Sequence, residues 1–276
     1  MFFTENFFFL PNNSRLVINI LFILITIKIM SKIIMFGNQK GGVGKSQCSV
    51  MVASALSLPP FNLKVALIDV DDQKSVVSAR SLDKRAYTEG AAPFAVFDYS
   101  IEQMQEQIAT LDGENHIVLI DAAGKLDSKA DVNQQEISKS LMYVDYLFLP
   151  FVAGNYNLDA TLRYLNFVLQ LQKARVLSNR KLTATGFVNM YKSRSKKNQY
   201  LIQDIDALKT SANLNFMENY LNDYAAFSDA DTYTSLFDPL SSDAAKGNFA
   251  KWLNEFAKAI GVLKWINYLM TSLRIK

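Results

Sequence analysis

Short apolar runs alternate with longer amphipathic stretches along most of the chain. The runs that predict strands span residues 32–36, 64–70, 94–97, 117–120, 146–151 and 183–188. Apolar runs of this length, separated by helical stretches, are typical of βαβ units in a parallel sheet. The pattern therefore predicts an α/β fold with a mostly parallel, twisted sheet and helices on both of its faces.

Two helical stretches carry clear signals. Ser100 is followed three residues later by Gln103, which is a capping-box spacing and predicts a helix that continues to about Leu111. Leucines repeat at helical spacing from Leu158 to Leu169 and predict an amphipathic helix whose apolar stripe faces the sheet. No repeat, linker or change of composition interrupts residues 30–261, so we expect one domain there.

The first 29 residues are strongly apolar and do not fit the βαβ pattern. Residues 16–27 form a twelve-residue apolar run, whereas a membrane-spanning helix needs about 20 such residues. The run has the length of a signal-peptide core, but it has neither a basic leader nor a small-residue cleavage site. Residues 30–36 resemble a natural translation start that is followed directly by the first strand. We interpret residues 1–29 as an extension, either a misassigned start or an anchor.

Composition limits the classes of chemistry. Hydrophobic residues make up 50% of the chain and charged residues 20%, which indicates a folded globular protein. The single cysteine, Cys48, excludes an intramolecular disulfide and a multi-cysteine metal cluster, and it suits a reducing cytosol. The single histidine, His116, disfavours a histidine-based metal cage. A net charge of +3 does not by itself indicate nucleic acid.

The most informative motif is GNQKGGVGKS at residues 37–46, between a predicted strand and a predicted helix. This is the context that a phosphate-binding loop requires. Glycines let backbone N–H groups turn towards phosphate oxygens, and the following helix points its positive end at the anion. Lys45 would reach the β- and γ-phosphates, and the Ser46 hydroxyl would bind Mg²⁺. The nucleotide-binding residues predicted from the loop are Gly41, Gly42, Val43, Gly44, Lys45, Ser46 and Gln47, and the loop alone makes Lys40 a solvated charge beside the phosphates.

A second lysine makes this loop unusual. Lys40 lies five residues before Lys45, and Gln39 stands where the general pattern has its first glycine. The resulting K-G-G-x-G-K-S loop resembles the deviant Walker A loop of the ParA/MinD family of ATPases. In that family the extra lysine reaches across a dimer interface to the partner's nucleotide. The resemblance implies this catalytic role for Lys40, with ATP and Mg²⁺ as cofactors and a homodimer in the ATP-bound state.

Three further segments resemble the same family in the same order, so that the likeness covers roughly residues 30–261. VALIDVDDQ at residues 65–73 is similar to the D-x-D-P-Q segment, which implies that Asp71 orients the attacking water or Mg²⁺. IVLIDAAG at residues 117–124 resembles a Walker B strand, in which Asp121 would contact Mg²⁺. Asn189 falls on the strand-terminal asparagine that reads adenine in the family.

Members of this family differ in the surface that their dimers bind. ParA-like members bind DNA without sequence preference, and an adaptor of the ParB kind stimulates their hydrolysis. The candidate DNA contacts are Lys192, Arg194, Lys196 and Lys197, which would neutralise phosphates in a salt-sensitive manner. Against DNA binding, the stretch where many members carry a DNA-contacting arginine is rich in acids here, at residues 218–230.

MinD-like members instead press a C-terminal amphipathic helix onto the membrane. Residues 262–276 offer a candidate, with an apolar helical stripe from Val262 to Leu273, Trp265 and terminal basic residues. The same stripe is typical of a helix that packs on its own domain or on a partner subunit. The sequence leaves these alternatives open.

The resemblance implies a ParA-type ATPase that forms an ATP-dependent sandwich dimer, binds non-specific DNA and drives plasmid or chromosome partition or cargo positioning. Its fold would be a single P-loop NTPase domain. We expect slow hydrolysis without a partner because no arginine finger lies near the motifs. The expected location is cytoplasmic and nucleoid-associated, or peripheral to a membrane for the MinD-like alternative. A third alternative is a small-molecule ligase or kinase of the dethiobiotin synthetase type, which the paired lysines and the D-x-D-x-Q segment disfavour.

Overall fold

The computed structural model describes residues 30–87, 90–122, 130–175, 181–212, 214–237 and 242–263. Every element described below belongs to the unit that spans residues 31–276. The predicted extension at residues 1–29 lies outside the described residues. So do residues 264–276, which include nearly all of the predicted C-terminal helix.

The strands form one seven-stranded sheet, in which all neighbouring strands are parallel. Their order in the sheet is β3-β2-β4-β1-β5-β6-β7. The bounds are β1 Lys32–Phe36, β2 Val65–Asp69, β3 Ala95–Asp98, β4 Ile117–Asp121, β5 Tyr146–Phe151, β6 Thr183–Val188 and β7 Asn215–Phe216. The six predicted strands are thus confirmed to within one residue at each end. The two-residue edge strand β7 was not predicted.

Eight helices are described. They are α1 Lys45–Ser57, α2 Ser75–Ala86, α3 Ile101–Glu114, α4 Ala130–Leu141, α5 Asn155–Ala174, α6 Lys196–Ala212, α7 Ala225–Ser228 and α8 Asp243–Ala259. The predicted capping box opens α3: the Ser100 hydroxyl accepts from the Gln103 N–H, and the Gln103 side chain accepts from the Ser100 N–H. The helix continues three residues beyond the predicted end at Leu111.

The central strand shows why the sheet is buried on both faces. Ile34 and Phe36 belong to one hydrophobic core, which α1 and α8 cover. Ile33 and Met35 belong to the other core, which α3, α4, α5 and α6 cover. Strands that are apolar on both faces are stable only between two layers of helices. The predicted α/β fold with helices on both faces is therefore confirmed.

This strand order places the loops that matter for function together. In a parallel sheet the carboxyl ends of the strands share one edge, where ligands bind. Because β1 lies between β4 and β5, the loop after β1 lies beside the ends of those two strands. Within the described ranges, no helix is long and apolar enough to cross a membrane.

Candidate functional site

The glycine-rich loop joins β1 to α1 and begins at Gly37. Gly42 and Gly44 have positive φ angles of 74° and 89°, in the left-handed region that favours glycine. A Cβ atom at Gly44 would lie 2.4 Å from Nδ2 of Asn189, so a side chain has no room there. The Gly44 carbonyl accepts from the Cys48 N–H at 2.9 Å, which starts α1 directly after the loop. The positive end of α1 therefore adjoins the loop, as in an anion site.

The Gly44 geometry gives a prediction with a matched control. We expect Gly44→Ala to destabilise the nucleotide-free protein by about 1–3 kcal/mol, because it combines a strained φ with a steric clash. Gly41→Ala makes the same change where a Cβ meets nothing within 4 Å and φ is not in the left-handed region. Urea unfolding measures both. Equal stability of the two variants would contradict the geometry.

Lys45 is the first residue of α1 and lies close enough to Asp121 and Asp71 to interact with their charges. Burial lowers the pKa of Lys45, and the negative charges of Asp121 and Asp71 oppose that shift. Its Nζ atom is 3.5 Å from the backbone oxygen of Lys40, a long contact. Lys40 itself is exposed, as are the adjacent Gly41 and Gly42. The loop thus offers one lysine inside the site and one on its rim.

Asp121 ends β4 as a fully buried carboxylate, and neither of its oxygens accepts a hydrogen bond from the described residues. The pKa of Asp121 is raised to about 7, chiefly by burial; the negative charge of Asp69 adds to the rise, whereas the Ser46 hydroxyl and Lys45 oppose it. A buried carboxylate without a partner is costly. A cation bound beside Asp121 would remove this cost.

These groups fit Mg²⁺ that is bound together with phosphates. Carboxylate and hydroxyl oxygens, here from Asp121, Ser46 and Asp71, are the ligands that Mg²⁺ prefers. The described residues contain no group of three Asp, Glu, His or Cys side chains able to hold a metal ion alone. Mg²⁺ at this site would therefore take its remaining ligands from phosphates and water, as it usually does beside a nucleotide.

The loop after β2 is held by the buried Asp69. Its Oδ2 atom accepts from the N–H groups of Val76 and Val77 in the first turn of α2, at 3.0 and 3.2 Å. Its Oδ1 atom accepts from the Asp71 N–H at 3.1 Å. Asp69 therefore stabilises the start of α2 and fixes Asp71, whose own carboxylate accepts from the Gln73 N–H at 3.0 Å.

Lys74 completes this loop from the other side. Its Nζ atom donates to the backbone oxygens of Asp69 and Tyr99, at 3.1 and 2.9 Å, and forms an ion pair with Asp98 at 2.8 Å. Its φ of 47° places it in the left-handed region. Lys74 thus ties the Asp71 loop to β3, a role that no sequence motif indicates.

Asn189 follows β6 and is turned towards the phosphate loop. Its Nδ2 atom donates to the Val43 backbone oxygen at 2.9 Å. The neighbouring cavity, which Met51, Tyr224 and Phe227 help to line, has a volume of only about 30 Å³. That is room for roughly one water molecule, whereas an adenine ring is larger. Adenine recognition by Asn189 stays a prediction.

The basic stretch runs from the loop after β6 into the first turn of α6. Lys192, Arg194, Lys196 and Lys197 are all exposed. The Lys192 ammonium pairs with Asp223 at 2.6 Å, so the acid-rich segment packs against the basic one. Within the described part of the chain, the other three bases form no ion pair. Two of them occupy the first turn of α6, where positive charge opposes the helix dipole.

A parallel sheet with a glycine-rich loop between its central strand and the following helix defines a P-loop nucleotide-binding domain. Residues 34–271 match the model of the CobQ/CobB/MinD/ParA nucleotide-binding domain. The chain belongs to this family, which confirms the resemblance seen in its sequence.

Solved structures share this fold at low sequence identity. A plasmid partition protein from Borrelia burgdorferi is 18% identical with a TM-score of 0.57, over 83% of this chain and 99% of that one. McdA from Cyanothece is 14% identical with a TM-score of 0.59, over 82% and 99%. A chain of the MinC:MinD cell division complex of Aquifex aeolicus is 13% identical with a TM-score of 0.56, over 80% and 94%. At these identities the likeness concerns the fold.

Proposed function

We propose that this protein is an ATPase of the ParA type that partitions a plasmid or chromosome or positions another cargo. ATP and Mg²⁺ bind at the phosphate loop, and Lys40 contacts the nucleotide of a second copy in an ATP-bound homodimer. The observation that carries the proposal is the buried, unpartnered Asp121 carboxylate beside Lys45 and Ser46, with Lys40 exposed on the same loop.

Structures with the same fold agree with ATP as the ligand. A putative plasmid partition protein from Borrelia burgdorferi, 19% identical, was solved with AMPPNP. A variant of Cyanothece McdA with one aspartate replaced by alanine, 15% identical to this chain, was solved with ATP. These ligands support the proposal for the present chain without identifying its cargo.

In this proposal, each residue of the site has a separate role in ATP hydrolysis. Lys45 and the first turn of α1 neutralise the β- and γ-phosphates, and Asp71 orients the attacking water. Mg²⁺, held through Ser46 and Asp121, supplies further charge neutralisation on the phosphates. None of the three motifs contains an arginine, so hydrolysis is slow until an adaptor of the ParB kind binds.

The DNA surface in this proposal is the basic stretch before and within α6. Because Lys192 is already paired with Asp223, Arg194, Lys196 and Lys197 are the bases that contact phosphates. Three contacts per subunit, doubled in a dimer, give binding that ignores sequence and weakens with salt. Such binding would make the protein nucleoid-associated in the cytoplasm.

We expect alanine at Arg194, Lys196 and Lys197 together to weaken DNA binding and flatten its salt dependence. The slope of log affinity against log salt should fall by about 3 per subunit, because each phosphate contact contributes roughly 0.9. A control with alanine at the exposed Lys84, Arg85 and Lys173 has the same net charge. Fluorescence anisotropy with ATP at several salt concentrations measures both variants, and equal slopes would remove this surface from the proposal.

Co-sedimentation with DNA and with anionic vesicles, each with ATP or ADP at two salt concentrations, tests the cargo surface. The proposal expects ATP-dependent, salt-sensitive sedimentation with DNA. ATP-dependent sedimentation with vesicles alone would favour the MinD-like alternative, for which residues 264–276 lie outside the described structure. Sedimentation that is the same in ATP and ADP would contradict a nucleotide switch.

A further inference from the structure

Asn38 is a buried polar residue in the loop that the motif itself does not explain. Its side chain is 1% exposed, and its Nδ2 atom donates to the Pro150 backbone oxygen at 2.9 Å and to the Thr161 hydroxyl at 2.7 Å. Its Oδ1 atom accepts from the Lys40 N–H at 2.9 Å. The amide thus uses both of its donor hydrogens and its acceptor, and it joins three separate parts of the chain.

The partners of Asn38 belong to regular secondary structure. Pro150 lies within β5, and Thr161 is buried on α5. One turn further along α5, Tyr164 lies so close to Gly37 that a Cβ there would be 2.5 Å from its hydroxyl. Gly37 and Asn38 therefore lie against the same face of α5, because Thr161 and Tyr164 are three positions apart and are neighbours on the helix.

The two lysines of the loop differ in what fixes them. Lys45 is the first residue of α1, and the Gly44–Cys48 hydrogen bond holds that helix end. Lys40 is exposed and outside any helix or strand, and its N–H donates to Asn38. A change at Asn38 should therefore move Lys40 more than Lys45.

We propose that Asn38 is a positioning residue for Lys40. It anchors the Lys40 backbone to β5 and to Thr161 of α5, so that the Lys40 side chain projects from the loop in a fixed direction. The proposal rests on the proposed function, in which Lys40 contacts the nucleotide of a second copy. A buried amide that bonds in all three directions holds the main chain far better than an exposed turn would.

The test uses Thr161→Val, which keeps the shape of the side chain but removes one acceptor of Asn38, and Asn38→Ala, which removes all three bonds. Thr185→Val, at a buried threonine of β6, is the matched control. Three quantities are measured: hydrogen exchange of the Lys40 N–H without nucleotide, the affinity for ATP with Mg²⁺, and the dimer dissociation constant in saturating ATP.

We expect Thr161→Val to speed exchange at Lys40 and to raise the dimer dissociation constant, each about tenfold, because a buried donor loses its partner. Asn38→Ala should do so more strongly. ATP affinity should stay within about threefold of wild type in Thr161→Val, and Thr185→Val should change none of the three quantities.

Either of two results would overturn the positioning role. In the first, both variants keep the wild-type exchange rate at Lys40 and the wild-type dimer dissociation constant. In the second, ATP affinity falls by as large a factor as dimer affinity. If the wild-type protein does not dimerise with ATP, the proposed function fails, and exchange at Lys40 alone decides. Faster exchange in Thr161→Val then upholds the positioning role, and unchanged exchange rejects it.

Discussion

Lys45→Ala is expected to weaken the binding of ATP with Mg²⁺ by about 100-fold or more. Lys45 begins α1 directly after the loop and interacts with the charges of Asp121 and Asp71. Without its positive charge, these carboxylates would repel the phosphates, and a charge-assisted contact to them would be lost. Isothermal titration or a fluorescent ATP analogue measures the loss.

Lys40→Ala is the matched control, since it is the same substitution five residues earlier in the same loop. It should leave ATP affinity within a few-fold of wild type, because Lys40 is exposed on the rim. Its loss should appear instead in ATP-driven dimerisation, measured by light scattering. If Lys45→Ala bound ATP as the wild type does, the assignment of the phosphate loop would be wrong.

Asp71→Ala is expected to slow ATP hydrolysis by about 100-fold or more and to leave the ATP-bound dimer intact. Positioned carboxylates that act on a water nucleophile contribute effects of this size. The fold should survive, because the buried Asp69 carboxylate, and not Asp71, holds the first turn of α2. Phosphate release measures hydrolysis, and light scattering measures the dimer.

Asp72→Ala serves as the control for this variant, because Asp72 is the adjacent, exposed carboxylate. Its hydrolysis rate should stay close to that of the wild type. Wild-type hydrolysis by Asp71→Ala would remove Asp71 from the catalytic role. If light scattering showed no change with ATP when Asp71→Ala is used, the sandwich dimer would be contradicted.

The five inner strands could be predicted because buried parallel strands must be apolar on both faces, which leaves a strong local signal. β7 could not, since only Asn215 and Phe216 form it. Its position depends on a distant glycine: a Cβ at Gly186 would lie 2.5 Å from the Phe216 ring. A glycine within a strand indicates close approach of another group, but it does not say which group.

The candidate site was predictable only where the chemistry is local in sequence. The glycines and lysines of the loop follow one another, so their spacing carries the signal. Asn38 bonds to residues 112 and 123 positions away, and Lys74 bonds across 25 positions to Tyr99. No short pattern could reveal these bonds. The pairing of Lys192 with Asp223 is hidden for the same reason.

The aromatic packing beneath the loop bears on how the chain is made. Phe36, at the end of the first strand, packs on Trp252 and Phe256 of α8, with ring centroids 6.3 and 5.9 Å apart. During synthesis on a ribosome, β1 emerges more than 200 residues before α8 does. Until α8 has left the exit tunnel, α1 alone can cover this face of the central strand, and an apolar face that is only partly covered promotes aggregation of a nascent chain.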